Sequence, residues 1–240
     1  MAKWQNQVQN SLEKNHYDKL QAPSALKRTQ LNNIEKLESM KVSEAVKITG
    51  SMTRTSKMPG LSYSLPAWEC QVGSKLRAVK GSVCSGCYAL KGNYTRYPAI
   101  KAAQYYRLQS LRDPRWIPAM VAQIKRQKFF RWHDAGDLQG AWHLKNIMEV
   151  CVLTPSTKHW LPTREVKYTS LMDPDIIPSN LKIIISDHMI DQETPVKHWP
   201  YTSGVSTKSA TCPAPKQGGK CGSCRACWDR SVARVVYGKH

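Results

Sequence analysis

The sequence is short of acid and has no long apolar run. Its 240 residues carry 17 Asp and Glu against 36 Lys and Arg, a formal net charge of +19. Such a surface attracts polyanions, nucleic acid first among them, because phosphate contacts need only basic side chains. Two plainer accounts stand beside that one: a soluble basic surface with no ligand, or partial balance by an anionic cluster bound through thiolates. No uninterrupted apolar stretch approaches the roughly 18–20 residues of a membrane span, and the mean hydropathy of −0.51 suits a soluble globular chain. The opening residues, MAKWQNQVQNSLEK, hold no apolar h-region, so no secretory signal is expected. A reducing, cytoplasmic compartment follows, in which eight cysteines argue for metal rather than disulfides. A Walker-type phosphate loop, a dinucleotide fingerprint and a Gly-x-Ser-x-Gly elbow are also missing.

What is present is a dense cysteine run, TCPAPKQGGKCGSCRACW. Cys212, Cys221, Cys224 and Cys227 fall within sixteen residues, the last three as C-x2-C-x2-C. Each two-residue gap lets neighbouring thiolates turn onto one centre, and Gly218, Gly219 and Gly222 keep the backbone free to wrap. The spacing is that of iron–sulfur ligation. Zinc competes, since four thiolates also make a closed tetrahedral site, and two disulfides or four unrelated buried thiols are the plain alternative. Arg225, Arg230 and Arg234 around the run either balance a negative cluster, touch phosphate or face solvent.

Residues 1–45 read as a polar helical arm, with Leu31, Ile34 and Leu37 at helical spacing and Pro23 dividing it. Residues 46–207 read as an α/β core and 208–240 as a Cys-rich metal-binding segment. VKITGS (46–51) looks like a short strand, followed by a loop to Cys70, Cys84 and Cys87. Helical pieces are expected over 98–113 and 114–127, with Pro98 suiting a first turn. FFRW (129–132) reads as a buried strand ending in HDAGD. A helix over 140–150 precedes VCVLT (150–154), read as a strand, with Cys151 as core. TREVKYTSLM (163–172) is a further candidate helix, and LKIIIS (181–186) is the clearest buried strand. TSGVST (202–207) is a weaker one. Alternating strands and helices imply a parallel sheet with crossover helices. Ligands in such folds collect at the carboxyl ends of strands. His133, Asp134 and Asp137 after FFRW, Lys158 and His159 after VCVLT, and Asp187 and His188 after LKIIIS therefore form a candidate cleft. For the HDAGD residues ordinary turn chemistry is an equal account.

Cys70, Cys84 and Cys87 form C-x13-C-x2-C, three thiols without a local fourth. On a four-iron cluster three ligands leave one iron open to a small molecule; structural thiols, or zinc shared with a distant residue, are the alternatives. Several pieces taken in order resemble the phage family called gene product 88: CYA at 87–89, RWHDAGD at 131–137, the Thr154–Lys158 element, the strand 180–186, and CPA…GGKCGSCRACW at 212–228. The resemblance spans about residues 46–230 and implies a phage origin, hence a host-cell cytoplasmic location. A more distant similarity is to radical S-adenosylmethionine enzymes. Those have a partial α/β barrel whose three-cysteine loop follows the first strand. Here the trio is stretched from C-x3-C-x2-C, Gly86 replaces the usual aromatic, and AGD (135–137) stands where GGE is customary. The similarity implies a partial-barrel-like parallel sheet, a [4Fe-4S] cluster on the trio, S-adenosylmethionine as its ligand, and an auxiliary cluster on the terminal four. The expectation is an iron–sulfur protein that is a redox or radical-type enzyme. The alternative is a non-enzymatic nucleic-acid-binding protein stapled by one cluster or zinc.

Overall fold

The computed structural model describes residues 40–169, 172–194, 196 and 199–239. The helix expected over residues 29–40 lies almost wholly outside them. The first described element is helix α1 (Val42–Thr49), which crosses the expected arm–core boundary at residues 45 and 46. VKITGS is therefore largely helical rather than a strand. Its apolar residues serve a helical face: Ala45 and Ile48 are buried against Ala119 and Ala122.

Seven strands follow: β1 (Thr53–Arg54), β2 (Leu61–Tyr63), β3 (Phe129–Trp132), β4 (Lys158–Thr163), β5 (Leu181–Ser186), β6 (Thr202–Ser206) and β7 (Arg234–Gly238). They form one open sheet in strictly sequential order. β1 pairs antiparallel with β2, and every later pair is parallel. A parallel strand can be reached only by a crossover. Helices α2 (Gln71–Leu76), α3 (Asn93–Arg96), α4 (Pro98–Ser110) and α5 (Trp116–Ile124) lie between β2 and β3, and α6 (Ala141–Leu153) lies between β3 and β4. After β4 the crossovers are loops and single 3₁₀ turns, at Val166–Tyr168, Pro174–Ile176 and Ala214–Gln217. The helix expected over 163–172 is reduced to the first of these.

VCVLT is not a strand. Residues 150–153 are the last turn of α6, and the strand begins at Lys158. A short apolar run of β-branched residues suits either state when it is buried, so periodicity could not separate them. Val150 and Cys151 are wholly buried there, so Cys151 is core as expected.

Strand alternation sends one set of side chains to each face. Phe130, Trp132, Leu161, Leu181, Ile183 and Ile185 point into the main core with α5 and α6. Phe129, Trp160 and Ile184 point the other way. Sequential right-handed crossovers would place every helix on one face and leave the other bare. Here the chain between β6 and β7, carrying the terminal cysteines, covers that second face. Trp228 packs edge-on against Phe129 (5.5 Å) and Trp160 (5.2 Å), and its indole N–H donates to the Phe130 carbonyl at 2.9 Å. Residues 208–240 thus contain a strand of the sheet as well as the cysteine run.

Candidate metal centres

All eight cysteines are free thiols, and seven of them lie in two groups. The first group rides on the long loop after β2, the first parallel strand. That loop lies across the carboxyl ends of four strands. Leu65 N–H donates to Ala135 O beyond β3, and Val72 N–H to the Glu165 carboxylate beyond β4 (2.7 Å). Val83 N–H donates to His188 O beyond β5, with Ser82 bridging to Met189. Cys70 caps α2, Cys84 sits in a 3₁₀ turn at Val83–Gly86, and Cys87 follows, its N–H donating to Cys84 O. Ser82 accepts from Ser85 N–H and fixes that turn.

Gly73 is what leaves space between two of these thiols. A Cβ there would stand 3.6 Å from Cys84 Sγ, 3.7 Å from Cys70 Sγ and 2.9 Å from Cys70 Cβ. Gly73→Ala gains helix preference of up to about 1 kcal/mol, but a Cβ 2.9 Å from Cys70 Cβ forces Cys70 or the backbone to move. The same methyl crowds Cys70 and Cys84. The variant should therefore hold less of any metal that these thiols bind, measured by iron and zinc analysis of the anaerobically purified chain against the parent.

Burial pushes the Cys70 thiol up, helped by Asp137 and the neighbouring thiols, and it raises Cys84 as well, against the pull of Arg164. Both are neutral thiols until a cation takes the proton's place.

The cleft residues divide by what they touch. Asp137 is fully bonded: its carboxylate accepts from Thr163 Oγ1 (2.6 Å), Leu138 N–H (2.8 Å) and Arg164 N–H (2.9 Å). It ties the end of β3 to the end of β4, and it is a builder of the cleft rather than a free ligand. Asp187 is likewise engaged, with Arg234 Nη2 at 2.7 Å and Thr194 N–H at 2.9 Å. Asp134 accepts from the Tyr94 hydroxyl on one oxygen, while its other oxygen is buried without a partner. His133 is buried, neither ring nitrogen has a partner, and its backbone stands at φ 57°. A non-glycine residue held in the left-handed region at a strand end is a recurring feature of functional sites. Burial lowers its pKa well below the ordinary histidine value, so the ring is neutral.

Lys158 and His159 do not join this group. They open β4 rather than follow a strand, in register with Phe129 and Phe130, so Lys158 is exposed at the amino ends of the strands. His159 is buried in the core and bonded to Thr154 Oγ1 at 2.9 Å. The misplacement follows directly from reading 150–154 as the strand.

The terminal cysteines form the second group. Cys212, Cys221, Cys224 and Cys227 all line one cavity of about 360 Å³, with Trp228 and Arg234. Gly218, Gly219 and Gly222 all have positive φ, as the wrapping backbone needs. Cys221 N–H donates to Lys57 O, which ties the loop to the chain before β2. Burial pushes the Cys227 thiol up to about 11, against the hydrogen bond it shares with the Tyr237 hydroxyl at 3.3 Å. Beneath the loop, Lys182 donates to the carbonyls of Ala226 (2.8 Å), Asp229 (2.7 Å) and Val232 (2.7 Å). Arg131 lies between the two groups. Its guanidinium stands 4.4 Å from the Trp160 ring and 3.5 Å from the Tyr88 hydroxyl, and its Nε is buried without a partner. Lys182 and Arg131 were each visible as the one basic residue in an apolar strand, and Glu165, whose second oxygen is unpartnered, carried no such signal.

Among the described residues no three or more His, Cys, Asp or Glu side chains stand close enough, as they are, to hold a metal ion. Four thiols lining one cavity are a donor set that either a zinc ion or an iron–sulfur cluster could use.

Sheet order and site together define an open, sequentially wound α/β protein with a cysteine loop at its strand ends. The family model of gene product 88 matches residues 24–230, and the chain belongs to that family. The match begins well before residue 46, so it takes in part of the arm that the sequence motifs left outside. No curated protein and no solved structure matches the chain. No helix among the described residues is long and apolar enough to cross a membrane.

Proposed function

We propose that this chain is an iron–sulfur enzyme of radical S-adenosylmethionine type. In this reading Cys70, Cys84 and Cys87 hold a [4Fe-4S] cluster with one iron open, and Cys212, Cys221, Cys224 and Cys227 hold a closed auxiliary one. The observation that carries it is the position of the trio. Its loop follows the first parallel strand and crosses the carboxyl ends of β2 to β5. Six parallel strands in sequential, open order support the same comparison, since a partial barrel is the fold of those enzymes.

The open iron would supply a coordination position and an electron to a bound ligand. The protein's share is orientation. The free oxygen of Asp134, the free oxygen of Glu165 and the neutral His133 ring offer polar contacts at the strand ends. Asp137 holds two strand ends at fixed separation. Arg131 lies between the two cysteine groups as a fixed cation.

The anaerobic protein should bind S-adenosylmethionine in equilibrium dialysis. Cys84→Ser and Cys87→Ser, each lacking one proposed cluster ligand, should bind S-adenosylmethionine about tenfold more weakly or worse, with folding checked by circular dichroism. Iron-replete protein that binds none would overturn the assignment of the ligand.

A further inference from the structure

The stretch that carries the first cysteine group is chemically unlike the rest of the chain. Residues 70–112 contain no Asp or Glu and eight Lys or Arg, and they hold five of the ten tyrosines, Tyr88, Tyr94, Tyr97, Tyr105 and Tyr106. Sequence alone could not say whether those rings are core or surface. The structure puts three of them in solvent: Tyr88 is 55% exposed, Tyr97 49% and Tyr106 47%, and among the described residues these are the large exposed aromatics. Lys91, Arg96 and Lys101 are exposed among them. Tyr88 and Tyr94 lie with ring centroids 5.9 Å apart, and Tyr88 directly follows Cys87.

We propose that this face binds single-stranded nucleic acid, with Lys91, Arg96 and Lys101 on the backbone and Tyr97 and Tyr88 stacking against unpaired bases. Each feature selects part of that partner. A stretch with eight cations and no carboxylate of its own attracts a polyanion of any kind, and the exposed Glu69 at its edge is bonded to the Tyr105 hydroxyl at 3.0 Å. Exposed rings set among the cations add a preference for bases, since every base has a face to stack and a duplex hides it. An acidic polypeptide would use the charges and leave the rings in water. The position of Tyr88 runs the strand past the first cysteine group, so a nucleic acid becomes the substrate class of the enzyme proposed above. That last step rests on the proposed function; the binding face does not.

The test is binding of a fluorescein-labelled 20-nucleotide single strand to the full chain, purified anaerobically, over a range of salt. Affinity should fall linearly in log–log form with salt, and the matching duplex should bind about tenfold more weakly or worse. Tyr97→Ala should weaken binding about tenfold. The triple variant Lys91→Glu, Arg96→Glu, Lys101→Glu should abolish it, while Lys145→Glu, Lys208→Glu, Lys239→Glu, with the same change of charge elsewhere, should retain most of it. Thermal midpoints of all variants should match the parent. The proposal is overturned if the two triple variants behave alike, if Tyr97→Ala binds as the parent does, or if poly-glutamate competes as well as the oligonucleotide. Binding to anionic phospholipid vesicles without binding to the oligonucleotide also overturns it. Iron content measured on the same samples separates the two claims: binding that survives in iron-free protein supports the face whatever the outcome for the enzyme, and a parent preparation that binds the strand but never holds iron tells against the enzyme alone.

Discussion

Lys182→Met should destabilise the protein by about 2–4 kcal/mol and open the terminal cysteine loop. The ammonium is buried in the middle of an otherwise apolar strand and donates to three carbonyls, of Ala226, Asp229 and Val232. Methionine keeps the apolar stem but leaves the Ala226 and Val232 carbonyls without a donor, at about 1–3 kcal/mol for each group that water cannot reach, while Asp229 O keeps the Val232 N–H. Relief of the buried charge offsets part of that cost. Burial lowers the lysine's pKa, while Cys227 and Asp229 act to raise it. The urea midpoint should fall, and proteolysis between residues 207 and 233 should become fast while the rest of the chain resists. If the two proposed clusters are present, iron on the terminal group should be lost and iron on the first group retained. A variant as stable as the parent, with full iron, would show that the lysine does not pin the loop.

Stability should also fall in mild acid through three buried histidines, with His143 and His159 accounting for roughly 4 kcal/mol between pH 7.5 and pH 5 and His133 adding to that loss. Burial holds His143 and His159 down to about 3, against the ordinary 6.5. His143 Nδ1 accepts from Gln139 N–H at 3.3 Å, which fixes the neutral ring, and the Arg112 guanidinium nearby adds to the cost of protonating it. With the folded pKa below the unfolded one, the unfolded chain binds more protons between about pH 3 and 6.5. Stability is therefore fully present above pH 6.5 and drains away as pH falls through that window. Because pH 5 lies about 1.5 below the free pKa of 6.5, keeping each of these two rings neutral costs roughly 2 kcal/mol there. Asp137 and Glu165, whose pKa values burial raises, act in the opposite sense at lower pH. Urea denaturation at pH 7.5 and 5.0 measures the difference, and His143→Gln should remove about 2 kcal/mol of it. A stability that is flat over this range would contradict the account.

Much of the sheet was legible in the sequence because its strands are short, β-branched and bounded by turn residues. FFRW, LKIIIS and TSGVS fall where they were expected, to within a residue. The two runs wrongly read as strands, VKITGS and VCVLT, are apolar pieces too short for a period of two or of 3.6 to decide between strand and helix. The second error had a chemical cost. Moving the strand from 150–154 to 158–163 carries Lys158 and His159 from one end of the sheet to the other. The spacing of the cysteines was legible, but their setting was not. Nothing local says that the terminal run lies between two paired strands, or that Gly73 stands beside two thiols fourteen residues apart.

The most direct test is iron, sulfide and zinc quantitation on one anaerobic preparation, repeated on Cys84→Ser and Cys224→Ser. Two four-iron clusters give about eight irons with matching sulfide in the parent, and about four in each variant that still folds. One zinc with no sulfide, or an iron content that neither substitution changes, would contradict the two-centre account.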